Sequence, residues 1–125
     1  MKSVEEIIYE RLPEHLESPL YWHKAPLSSN PPYVVYRMVG DANDKETLSR
    51  YGGQARVQFD IYADSPIATV QERIRLKDGV REIRGVFEGT EIYSAVVVNE
   101  VTTEAESNFY QSSMVDVIFA WTNKE

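Results

Sequence analysis

The 125-residue chain contains no cysteine, which excludes disulfides, thiolate metal sites and cysteine nucleophiles together. Histidine is almost as scarce. Only His15 and His23 occur, and neither stands at ligand spacing from a second imidazole, so they are read as incidental rather than as a zinc site or general base. Positive charge is also short, with 13 Lys and Arg against 20 Asp and Glu, a net charge of −7. That deficit argues against a chain that coats nucleic acid or an anionic membrane. No run of about 18 apolar residues occurs, so no membrane-spanning helix is expected. The opening Met1-Lys2-Ser3-Val4-Glu5-Glu6 reaches two acids where a secretory leader needs an apolar run, and the expected setting is a reducing cytoplasm. Glu88 with Glu91 and Glu104 with Glu106 lack calcium-loop spacing and read as solvated turns. Gly52-Gly53 precedes a strand pattern rather than a helix, so it serves a hairpin return and not a phosphate cradle. No nucleophile elbow is present. No catalytic, cofactor-binding or metal-ligating residue is singled out by these patterns.

What the chain does contain is one domain's worth of apolar residues, 42%, spread without repeats or linkers over residues 1–125. Ser3 and Glu6 form a capping-box pattern ahead of Val4, Ile7, Ile8 and Leu12, which predicts a short amphipathic helix closed by Pro13 and Pro19. Four prolines between Glu17 and Pro32 predict an irregular connector. Tyr33 to Val39 reads as a strand. Gly40 to Gly53 follows as a long polar loop, of a length that usually carries function. Ala55, Val57, Phe59, Ile61 and Ala63 alternate with polar residues, the cleanest strand signature in the chain. Ser65-Pro66 starts a second helix that runs to about Arg84. Its apolar residues fall in two stripes about 130° apart, Ile67/Val70/Ile74 and Leu76/Val80/Ile83, which predicts a kink near Asp78-Gly79. Strands over Ile92–Val101 and Tyr110–Thr122 complete the order α-β-β-α-β-β. The predicted fold is α+β, a two-layer sandwich with a four-stranded, mainly antiparallel sheet and its helices on one face.

Charge placement points to association. Residues 71–84 hold Arg73, Arg75, Lys77, Arg81 and Arg84 against three acids, whereas residues 85–125 hold seven acids against Lys124 alone. Arg73, Lys77, Arg81 and Arg84 share one helix stripe. The bland reading is a solvated helix face. The sharper one docks this stripe onto Glu100, Glu104, Glu106 and Asp116 of a neighbouring copy, and such a head-to-tail contact can close into a ring. Asp41, Asp44, Lys45, Glu46, Arg50 and Tyr51 in the long loop are the candidate contacts to a further partner. Tyr62, Tyr36 or Tyr33, Met114 and Ile118 make the sheet's second face unusually apolar. Either that face associates or the proline-rich connector lies across it.

The opening helix Glu5-Glu6-Ile7-Ile8-Tyr9-Glu10-Arg11-Leu12, the Pro-Pro-Tyr-Val-Val-Tyr start of the first strand, Arg56-Val57-Gln58-Phe59-Asp60-Ile61-Tyr62-Ala63-Asp64-Ser65 and the closing Phe119-Ala120-Trp121 carry a resemblance. From about Val4 to Thr122 the chain resembles the tail terminator and tail-completion proteins of long-tailed phages. The resemblance implies a non-enzymatic, structural virion protein assembled in the bacterial cytoplasm. It implies a ring, typically of six copies, on the head-proximal end of the tail tube, which stops tube elongation and meets the neck or head-completion proteins. Its partners would be itself, the tube protein and the neck, with no membrane and no sequence-specific nucleic acid. Competing readings are a small dimeric α+β ligand-binding or enzyme domain, and an adaptor that binds one protein through its acidic strands.

Overall fold

Ser3 caps the first helix as its pattern requires. Its Oγ accepts from the Glu6 N–H at 3.2 Å, and the Glu6 carboxylate accepts from the Ser3 N–H at 3.3 Å. In this computed structural model, which describes residues 2–27, 29–41, 52–104 and 111–124, the capped helix α1 spans Val4–Arg11 and buries Val4, Ile7 and Ile8. A 3₁₀ turn at Pro13–His15 leads into the connector.

The sheet has six strands rather than four. In chain order they are β1 (Leu20–Trp22), β2 (Tyr33–Asp41), β3 (Gly52–Ala63), β4 (Gly85–Phe87), β5 (Thr90–Glu104) and β6 (Gln111–Asn123), with helix α2 (Pro66–Glu82) between β3 and β4. Their spatial order is β1-β2-β3-β6-β5-β4, with β1 parallel to β2 and every other pair antiparallel. The mixed sheet curls into a half-barrel, which replaces the expected four-stranded α-β-β-α-β-β sandwich.

Both extra strands have local causes. The prolines stand at 19 and 26, so Leu20-Tyr21-Trp22 keeps its donors, and the Val34 N–H to Pro19 carbonyl and His23 N–H to Tyr36 carbonyl bonds close the ends of the pair. Strand β4 exists because the helix ends at Glu82 rather than Arg84, after which Gly85 adopts φ +119°. Glu88 and Gly89 then both take positive φ, which matches the twist of a two-residue hairpin.

The core lies between one face of the sheet and the two helices. Ala55, Val57, Phe59 and Ile61 of β3 and Val115, Val117 and Phe119 of β6 meet Leu12, Leu76, Val80 and Ile83 there. Tyr36 belongs to this core and not to the second sheet face. Its ring lies between Trp22 and Phe59, at centroid distances of 6.1 and 5.9 Å, and its hydroxyl donates to the Glu5 carbonyl at 2.9 Å. Burial, aided by the Glu5 charge, pushes the phenol well above its ordinary range.

Helix α2 starts as read from Ser65, whose Oγ accepts from the Ala68 N–H at 3.1 Å, but it is continuous through Gly79. A Cβ at Gly79 would lie 2.8 Å from the Cβ of His15 and from Cδ1 of Leu12, so that glycine admits the turn after α1 rather than breaking the helix. Two turns earlier, the buried Glu72 carboxylate accepts from the Ser18 N–H at 2.7 Å and the Glu17 N–H at 3.3 Å, which fastens the connector to the helix.

Two outcomes follow. Gly79→Ala gains about 1 kcal/mol of helix propensity but overpacks against His15, whose Cβ cannot rotate away. The net expected in chemical denaturation is a loss of about 1–2 kcal/mol. For Tyr36→Phe, the loss at neutral pH is about 1 kcal/mol, from the missing hydrogen bond. In the unfolded chain this phenol ionises near pH 10, whereas the folded chain keeps it neutral, so it makes stability fall as pH rises above about 10. In Tyr36→Phe that alkaline fall should be shallower, measured by denaturation across the same pH range.

Candidate functional site

Three of the sequence-selected charges meet, and they meet within one chain. The Lys77 ammonium donates to both Glu100 oxygens at 3.1 and 3.3 Å. Arg73 Nε lies 3.5 Å from Glu100, and its Nη1 donates to Ser113 Oγ at 3.4 Å. These contacts strap α2 across β5 and β6. Arg81 reaches only Asp78 of its own helix, an exposed pair at 3.4 Å, and Arg84 is exposed with no ion pair among the described residues. Asp41 is the last residue of β2, set opposite Ala55, and Glu104 ends β5 opposite Gln111. Asp44, Lys45, Glu46, Arg50, Tyr51 and Glu106 lie outside the described residues.

The surface with the strongest association character comes from a pattern that the sequence displays but that was read as a kink. Because α2 continues through Gly79, its second apolar stripe is left outside: Ile67, Val70 and Ile74 are 69%, 40% and 53% exposed. At 100° per residue, Val70 and Ile74 lie within about 60° of Lys77, so the stripe borders the flank that Lys77 holds against β5. Pro66, Ile67, Val70 and Gln71 frame an apolar depression of about 390 Å³.

Strand β5 adds a second component. β4 covers only its first three residues, so among the described residues positions 93–104 have no strand on their outer side. An edge of that length presents a row of backbone donors and acceptors, and Tyr93, Val96, Val98 and Val101 on it are 41% to 54% exposed. Register shifts at Ile92/Ser94 and Val97/Asn99 make Tyr93 and Val98 the extra residues of two bulges. Burying what remains exposed of Ile67 and Ile74 would contribute about 1–2 kcal/mol each.

The second sheet face divides between both earlier readings. The connector covers its β2–β3 end, where Tyr21 packs edge-on to Tyr33 at 6.1 Å and Tyr33 lies 5.0 Å from Tyr62. Met114 and Ile118 sit farther across, on β6, opposite Val101 and Val96.

No protein-family model matches this sequence, and no curated protein matches it. Among solved structures, the chain is similar to a chain from the virion of a native gene transfer agent particle. The superposition covers 97% of this chain and 96% of that one, with a TM-score of 0.72 and 11% sequence identity. At that identity the likeness establishes a shared fold over almost the whole of both chains.

Asp116 stands apart from the other selected acids. It projects on the helix-free face of β6, yet it is buried, with Oδ2 2.8 Å from Arg56 Nη2 and Oδ1 without a partner among the described residues. Its role in this chain is an internal pair across β3 and β6. Arg56→Ala strands a buried carboxylate and should cost about 1–3 kcal/mol. Arg56→Ala/Asp116→Ala removes the stranded charge and should be more stable than Arg56→Ala alone, both read by denaturant unfolding.

Proposed function

We propose that this chain is a structural protein of a phage-like virion, a tail terminator or tail-completion subunit. It forms a ring, of six copies in this reading, at the head-proximal end of the tail tube. The ring halts tube elongation and joins the tail to the neck, without enzymatic turnover. The observation that carries the reading is the end-to-end likeness of fold to a chain of a gene transfer agent virion. It is supported by the open β5 edge beside the exposed α2 stripe, a surface suited to burial against another subunit. The partners in this reading are further copies, the tube protein and a neck or head-completion protein, with Asp41, Asp44, Lys45, Glu46, Arg50 and Tyr51, between the body of β2 and the start of β3, as the contact to tube or neck. Assembly takes place in the bacterial cytoplasm, and the product resides in the virion.

Because Arg73 and Lys77 are engaged with Glu100 of their own chain, the subunit contact in this reading is apolar at its centre and charged at its border. The test is sedimentation of the purified protein over a wide concentration range, with negative-stain images at the top of it. Closed rings are expected. Ile74→Glu and Val98→Lys, both at exposed positions, should keep the fold and raise the concentration needed for assembly by about tenfold or more. A tight symmetric dimer that is indifferent to both substitutions would overturn the reading.

A further inference from the structure

The opposite end of the sheet holds a pocket of about 350 Å³, between residues 23–27 and 29 of the connector and the helix-free face of β2 and β3. Its location follows from the chain path. After β1, His23 takes φ +81°, a conformation rare for a residue with a side chain, and its N–H donates to the Tyr36 carbonyl at 2.8 Å. That turn lifts the connector off the sheet edge and carries it over the face where Tyr33, Val35 and Arg37 alternate outward. Pro26 stiffens the wall that results.

The chemistry of the lining differs from the rest of this acidic protein. Lys24 and Arg37 both line the pocket, and among the described residues neither has a carboxylate within ion-pair distance. Among the described residues the single acid in the lining is Asp60, whose two oxygens accept from Gln58 Nε2 at 3.0 and 3.2 Å. The floor is aromatic, made by Tyr33 against Tyr62 at 5.0 Å. A cation on the connector wall and another on the sheet face beside an aromatic floor fit a ligand that is anionic at intervals and apolar between them.

We infer that this pocket is a docking site for an extended acidic peptide segment of a protein partner. Its carboxylates lie against Arg37 and Lys24, and an apolar side chain between them rests on Tyr33 and Tyr62. Arginine presents a fork matched to a carboxylate, and the tyrosines give contact area with few rotors to freeze. The connector is held in place by Pro26 and the His23 bond, so little ordering opposes binding. The volume stands at the small end of the roughly 300–1,000 Å³ range of ligand pockets, which suits a few side chains rather than a cofactor. A polyphosphate fits less well. Two cations are too narrow a field for a polyphosphate on a chain of net charge −7. The site lies at the other edge of the sheet from the β5 surface and does not depend on the assembly reading.

The experiment uses the full chain, labelled with ¹⁵N. It is titrated with the blocked hexapeptide Glu-Leu-Glu-Tyr-Glu-Leu, with the same peptide carrying Gln for each Glu, and with an oligothymidylate. The acidic peptide should shift amides of residues 23–27, 33–37 and 60–62, with a Kd of about 0.1–1 mM. The Gln peptide should bind at least about tenfold more weakly. Arg37→Glu should abolish the shifts. Asp60→Asn should tighten binding severalfold, a gain that misfolding cannot imitate. Equal binding of the Glu and Gln peptides, shifts confined to other residues, stronger binding of the oligothymidylate, or no change in Asp60→Asn would each overturn the inference.

Discussion

The pairing of β3 with β6 is the constraint from which the rest of the architecture follows. Twelve consecutive residue pairs, from Gly52 with Thr122 to Ala63 with Gln111, run without a register shift. That register places Ala55, Val57, Phe59 and Ile61 on the same face as Val115, Val117 and Phe119. A slip of one residue would turn every one of them to the opposite side. Gly52 closes the end of the pair because a Cβ there would lie 2.5 Å from the Trp121 carbonyl oxygen. The irregularities fall to either side, one in β2–β3 and two in β5–β6. Since a bulge bends and twists its strand, the sheet stays regular at its centre and curls outward from it.

Helix α2 then meets two demands that compete. Leu76, Val80 and Ile83 complete the core, and Glu72 holds the connector through two backbone donors. Gly79 lets the turn after α1 come close enough to seal that end. An isolated subunit gains nothing from isoleucines at 67 and 74, since both are more than half exposed. Stability of the lone chain therefore leaves the stripe unexplained, whereas burial against another protein gives it a purpose.

Much of this was legible in the residues. The capping box at Ser3, the alternation of β3 and the Ser65-Pro66 helix start are local signals with local causes, and each formed where expected. What escaped was short or non-local. A three-residue strand has no measurable period, so β1 was absorbed into the connector and β4 into the end of the second helix and the following turn. The β4–β5 hairpin turns on Glu88-Gly89, which lacks the Asn-Gly or Asp-Gly signature. The two stripes of α2 were visible, but a sequence cannot say whether the chain bends to bury both or stays continuous and exposes one. Charge segregation was equally visible, yet opposite charges far apart in sequence look the same whether they meet within one chain or between two. The Lys77–Glu100 pair meets within one.

Geometry also limits how two copies can meet. Positions 93–104 of β5 form one edge of the sheet, and the β2 positions beyond Tyr36 lie near the other, past the short β1. The bulges at Tyr93 and Val98 turn the β5 edge twice, so a straight incoming strand finds its longest regular run over residues 99–104. Arg73 contacts both Glu100 and Ser113, the residue opposite Thr102, so that run lies alongside the N-terminal half of α2 that carries the exposed stripe. A strand added there would lie beside that half of the helix, with alternate side chains on its face of the sheet. Two β5 edges pairing with each other about a two-fold would stop at a dimer. A contact from β5 to any different surface of the next copy repeats, and it closes into a ring only if its rotation divides a full turn. The edge therefore restricts the ways in which this chain can assemble, and the surface that answers it on the next copy decides between dimer and ring.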